Sequence, residues 1–206
     1  MGAVDPGREW AMVCRPLLVP GGYAMLDGSQ WVLMSHHNTG MIAQGPCEVQ
    51  GIIDACMHRV AEGMGGRVCF RGMLCMLVGV EGAYLKPGFG KKQALAYATR
   101  VGWFQMGLTV HGATSVIIPP AYGKGGLAWK REVEVSGMSL RQQQNWCHGM
   151  LGVWPQDEHE ADAFALCHYI QTRVHKHLTI GIKIPSCIQD GIKQLKKGRA
   201  ANATDS

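Results

Sequence analysis

Met73 to Val80 is a continuous apolar run that ends on an acid, Glu81. Such a run is far too short to span a bilayer. It reads as a central strand buried on both faces. The surrounding chain supplies the cover. Glu48 to Glu62 sets Val49, Ile52, Ile53, Cys56, Met57 and Val60 at helical spacing, and Gly63, Gly65 and Gly66 stop that helix. Gln93 to Val110 reads as a helix in which Ala94, Ala98, Val101 and Gly102 suit close packing. Ser139 to Gly149 is expected as a helix with Ser139 as N-cap. Asp157 to Arg173 is expected as a helix whose acidic first turn suits its dipole.

Residues 3–5 and 10–14 predict two antiparallel strands joined by a tight turn at Pro6-Gly7. A third strand is expected from Trp31 to Met34, and a β-branched one from Thr114 to Ile118, ended by Pro119-Pro120. Residues 16–30 and 35–47 read as loops by default, Gly82 to Lys92 as a Gly/Pro/Lys loop, and Tyr122 to Arg131 as a flexible basic loop. Strands come first, then helix, strand, helix, strand, helix, helix. That order predicts an α/β protein: a mixed sheet with an antiparallel N-terminal hairpin, central parallel strands and flanking helices.

With 206 residues the chain has room for one sizeable core and at most an extension. The expected division is a domain over 1–173 and a basic extension over 174–206, ending in a disordered Ala200 to Ser206. The net charge of +5 permits a polyanionic partner without demanding one. The cysteines, Cys14, Cys47, Cys56, Cys69, Cys75, Cys147, Cys167 and Cys187, form no C-x-x-C pair. They read as small buried hydrophobes in a reducing compartment, not as zinc ligands or disulfides. The N-terminus has no charged region followed by an apolar core, so no signal peptide is expected and the location expected is cytoplasmic.

Four residues carry the chemistry. Singly, each acid has an ordinary reading: Asp5 before Pro6-Gly7 as a turn residue, Glu81 as a strand-end charge, Asp162 as an exposed helix residue. Together they differ. Asp5 and Glu81 both end strands, and neighbouring strands of one sheet set such residues side by side. His159 and Asp162 are three apart, so a helix projects them from one face. Carboxylates crowded in this way repel unless cations neutralise them, and oxygen-rich sites favour Mg²⁺ or Mn²⁺. The segment Gly88-Phe89-Gly90-Lys91-Lys92 does not make a phosphate loop, because Leu85 and Lys92 stand where that motif needs Gly and Ser or Thr.

The set Val4-Asp5-Pro6-Gly7, Val80-Glu81-Gly82, Tyr97-Ala98-Thr99-Arg100-Val101-Gly102 and His159-Glu160-Ala161-Asp162-Ala163 resembles, in order and approximate spacing, the RuvC-type Holliday-junction resolvases. These are members of the RNase H-like nuclease superfamily. The likeness runs over residues 3 to about 172. It implies an RNase H-like fold and metal ligation by Asp5, Glu81, His159 and Asp162, with two Mg²⁺ or Mn²⁺ ions per site. It implies a homodimer that hydrolyses phosphodiesters symmetrically in four-way DNA junctions. His159 stands at a position that carries His in some members and Asp in others, and it has a second reading as general acid or base. A lysine supporting the scissile phosphate is implied, and Lys124 and Lys130 both lie in the comparable region. Tyr84, with Phe89 as second choice, matches the aromatic that inserts at the junction. Lys86, Lys91, Lys92 and Arg100 are candidate contacts to the nucleic-acid backbone. Two alternatives stay open: a related nuclease acting on flaps, forks or RNA, and a non-catalytic DNA-binding member of the same fold. A bacterial, phage or organellar origin fits equally.

Overall fold

Short central strands buried on both faces organise the protein. In this computed structural model, the residues described are 1–15, 31–63, 69–70, 73–74, 76–83, 90–119 and 129–204. The main sheet uses β1 (Gly2–Asp5), β2 (Ala11–Cys14) and β3 (Val32–Ser35), then β6 (Leu77–Glu81) and β7 (Thr114–Ile118). A separate two-stranded sheet holds β4 (Cys69–Phe70) and β5 (Met73–Leu74). The order across the main sheet is β3-β2-β1-β6-β7. β1 runs antiparallel to β2 and parallel to β6, and β6 runs parallel to β7. This is the expected mixed sheet, with an antiparallel N-terminal hairpin and central parallel strands.

Successive side chains on β1 and β6 point to opposite faces. Val4, Val78 and Val80 pack with Ile52, Ile53, Val101, Phe104 and Leu108 on one face. Those residues come from α2 (Pro46–Gly63) and α3 (Lys91–Val110). Ala3 and Leu77 pack on the other face with Leu166, Ile170, Val174 and Ile188. That cover comes from α6 (Glu158–Ile180) and α7 (Ser186–Thr204). Asp5 shares the parity of Ala3, and Glu81 that of Leu77 and Gly79. Both acids therefore face the α6 side. Val4 pairs with Val80 in the parallel register, so the acids sit one step further along neighbouring strands.

The run from Met73 is not one strand. β7 begins pairing with β6 only from Leu77, and β1 only from Val78. Met73 and Leu74 have no partner in the main sheet and pair with Phe70 and Cys69 instead. The stretch 35–47 is not all loop either. His36–Thr39 forms a single helical turn, α1, closed by Gly40 in the left-handed region at φ 70°. Pro46 opens α2, where its missing N–H costs nothing. The basic loop ends early, because the buried Trp129 anchors a short helix, α4 (Trp129–Glu132).

α5 (Leu140–Leu151) starts where expected, and the Ser139 N–H donates to Gln142 Oε1 at 2.8 Å. α6 opens on its expected cap, with Asp157 Oδ1 accepting the Glu160 N–H at 2.7 Å. It runs past Arg173, because the first left-handed residue that stops it is Gly181. Cys14, Cys56, Cys147 and Cys167 are buried, as expected, but Cys47 is exposed. No described helix is long and apolar enough to cross a membrane.

Candidate metal centre

Asp5 closes β1, Glu81 closes β6, and Asp162 lies in the second turn of α6. One carboxylate oxygen from each lies within 4.8 Å of the others. Gly79 makes this meeting sterically feasible. It faces α6 two residues before Glu81, and a Cβ there would collide with Ile170 Cδ1. Without a side chain at 79, α6 settles onto β6 and brings Asp162 over the strand ends.

Lys130, from α4, closes the centre. Its Nζ is 2.5 Å from Asp162 Oδ2 and 3.9 Å from Glu81 Oε1. His159 projects one turn before Asp162, as the three-residue spacing requires. Its Nδ1 sits 2.7 Å from Asp5 Oδ2. The tight turn passes close beneath its ring: a Cβ on Gly7 would lie 3.1 Å from His159 Cε1 and 2.8 Å from the Glu9 carbonyl oxygen. The imidazole thus rests on Asp5, outside the group formed by the three carboxylates.

Burial, and then the Asp5 charge, push Glu81 up to about 8. Burial also raises Asp162, against the lowering influence of Lys130. Lys130 is pulled down by burial, yet Glu81 and Asp162 more than offset that and hold it above its ordinary value. The hydrogen bond to Asp5 pushes His159 up to about 9, so the imidazole carries its proton at neutral pH. Three acids packed this closely meet two cationic groups, Lys130 and His159. The close approach and the all-oxygen donor set of the acids fit a hard divalent cation, which would favour their ionised forms.

Two residues with no assigned role from sequence also touch the acids. The Tyr97 hydroxyl, on α3, donates to Asp5 Oδ1 at 3.4 Å. Gln143 Nε2, on α5, donates to Asp162 Oδ1 at 3.4 Å. Tyr97 belongs to the stretch that carries the family resemblance, but nothing in its spacing points to Asp5. Gln143 has no sequence signal at all. Among the nucleic-acid candidates, Lys91 and Lys92 are exposed at the start of α3. The Arg100 guanidinium lies 5.9 Å from the centre of the Tyr97 ring. Tyr84, Lys86, Phe89 and Lys124 lie outside the described residues.

No family model and no curated protein matches this chain. Among solved structures, the chain is similar to a Thermus thermophilus RuvC structure, at 18% identity and a TM-score of 0.45, with 89% of this chain and 99% of that one covered. It is also similar to T. thermophilus RuvC in complex with a Holliday junction substrate, at 16% identity and a TM-score of 0.45, covering 89% of this chain and 98% of that one.

Proposed function

We propose that the chain is a divalent-metal-dependent endonuclease that hydrolyses phosphodiester bonds in four-way DNA junctions. The observation that carries this reading is the convergence of Asp5, Glu81 and Asp162 within 4.8 Å at the strand ends. The branched substrate comes from the sequence resemblance to RuvC-type resolvases.

Asp5, Glu81 and Asp162 would hold the cations, Mg²⁺ or Mn²⁺. When bound, such ions polarise a phosphoryl oxygen and make water a nucleophile near neutral pH. Lys130 stands beside two of the three acids and stabilises negative charge building on the phosphate. His159, hydrogen-bonded to Asp5, would serve as general acid or base beside the metal ligands. Tyr97 orients Asp5 through its second oxygen.

The homodimer belongs to the same proposal. Leu95, Met106 and Val110 are exposed on α3 at 69%, 58% and 71%. Helical periodicity sets all three on one stripe with the exposed Gly102. That stripe is the surface for a second copy.

One observation favours the non-catalytic reading. Lys130 already supplies a fixed ammonium to Asp162 and Glu81, much as a cation would. A cleavage assay separates the two. A synthetic four-way junction is incubated with Mg²⁺ or Mn²⁺ beside a flap, a fork, a linear duplex and an RNA–DNA hybrid. Metal-dependent junction cutting that Asp5→Asn abolishes supports the resolvase. Binding without cutting in either metal supports the scaffold. Preferential cutting of another substrate keeps the nuclease and replaces the junction.

A further inference from the structure

Beside the acidic centre, but sharing no residue with it, His36, His37 and Asp157 form a second group with one donor atom each within 4.8 Å. Asp157 caps α6 with Oδ1, which leaves Oδ2 turned toward the two histidines. That Oδ2 is buried and accepts no hydrogen bond, and His36 Nδ1 is likewise buried and unpartnered. The two atoms face each other across 3.6 Å. His37 Nε2 approaches the same oxygen at 3.1 Å. A buried polar atom left without a partner costs about 1–3 kcal/mol, so two of them turned toward one point call for a ligand between them.

The scaffold around them is firm. Ser35 Oγ donates to Glu160 Oε1 at 2.6 Å, and the Gln156 N–H donates to Glu160 Oε2 at 2.7 Å. The His36 N–H donates to the Trp10 carbonyl at 3.0 Å. These bonds fix the β3–α1 junction against the start of α6, and so fix His36 opposite Asp157.

We infer that His36, His37 and Asp157 form a second cation site, selective for a borderline transition metal of the Zn²⁺ class. Two imidazoles and one carboxylate suit such ions better than Mg²⁺ or Ca²⁺, which prefer all-oxygen sites. Donors about 2.0–2.2 Å from tetrahedral zinc stand roughly 3.3 Å apart. The separations of 3.6 Å and 3.1 Å straddle that value. The His37 side chain is 42% exposed, which gives the ion an entry path and leaves a water as fourth ligand. The bound ion would clamp α1 to α6, with the His36 ring 6.2 Å from that of His159.

The site does not depend on the nuclease reading, and its test uses no cleavage. Full-length protein carrying Asp162→Asn, which disables the acidic centre, is stripped with chelator and titrated with Co²⁺ alone. The expected result is a saturable rise of the intense visible bands of four-coordinate cobalt, reversed by Zn²⁺. His37→Gln, at the most exposed ligand, should keep the far-UV circular dichroism. It should weaken Co²⁺ binding by more than about 100-fold, since loss of even an outer hydrogen-bond partner costs 10–100-fold. Absence of the bands, or bands unchanged in His37→Gln, overturns the site and leaves an ordinary histidine–aspartate ion pair.

Discussion

His159 Nδ1 lies 2.7 Å from Asp5 Oδ2, joining the first strand to a helix 154 positions later. Asp5 holds the imidazole proton, so His159 belongs to the charge balance of the centre before any metal enters. The pair makes the stability of the metal-free protein sensitive to pH. The pKa of His159 is raised from 6.5 to about 9 in the folded state. Its stabilising contribution is complete below the unfolded value and is lost as pH rises through about 9. Glu81 is raised from 4.5 to about 8. Across that window the folded protein keeps a proton that the unfolded chain has released, so stability again falls as pH rises. Both groups act in one direction. Thermal melts in chelator should show a falling Tm between about pH 5 and 9, and Mg²⁺ or Mn²⁺ should flatten the fall by favouring ionised Glu81. A level profile in chelator would contradict this coupling.

Asp162→Asn keeps the shape of the side chain and removes its charge. Junction cleavage should drop at least about 100-fold, by analogy with the 10–100-fold cost of disturbing even outer-shell partners of a metal. Junction affinity in a gel-shift assay should stay within a few-fold. Retained cutting would take Asp162 out of the ligand set.

Lys130→Met removes the ammonium beside Asp162 and Glu81. Cleavage should fall by about 10²–10³, the cost of losing one donor to developing charge. The metal-free protein should also lose about 1–3 kcal/mol, because the Asp162 carboxylate loses its hydrogen-bonding partner. Urea unfolding with and without Mg²⁺ separates the two effects. A variant of normal activity would hand the phosphate-supporting role to another lysine.

Gly79→Ala tests the packing that seats α6. The added methyl meets Ile170 Cδ1 and lies 3.2 Å from Ile118 Cγ1. Overpacking of this kind costs about 1–3 kcal/mol. For a chain of this size that lowers Tm by about 2–4 °C per kcal/mol. Ile170→Val deletes the colliding atom, so the double variant should recover part of the loss. Additive losses would place the strain elsewhere.

The sheet was legible because short apolar runs flanked by turn residues mark strands buried on both faces, and because Thr114–Ile118 is bounded by its own breakers. Asp5, Glu81 and Asp162 were legible as strand-end and helix-face acids in a recognisable order. The split of the Met73–Val80 run was not, because only the lengths of β1 and β7 decide where β6 begins pairing. Tyr97 and Gln143 were not, since contact with the acids depends on where α3 and α5 pack. The helical turn at His36–Thr39 was hidden in a stretch rich in His, Asn and Gly. Its position comes from the tertiary bonds of Ser35 and His36 to Glu160 and Trp10.

The acids that meet at the strand ends come from residues 5, 81 and 162. Two of them leave the ribosome early and remain incomplete until α6 has emerged and docked. A half-made chain therefore cannot assemble the three-carboxylate group, so the centre comes into being only when the last-made of its elements packs against the strand ends.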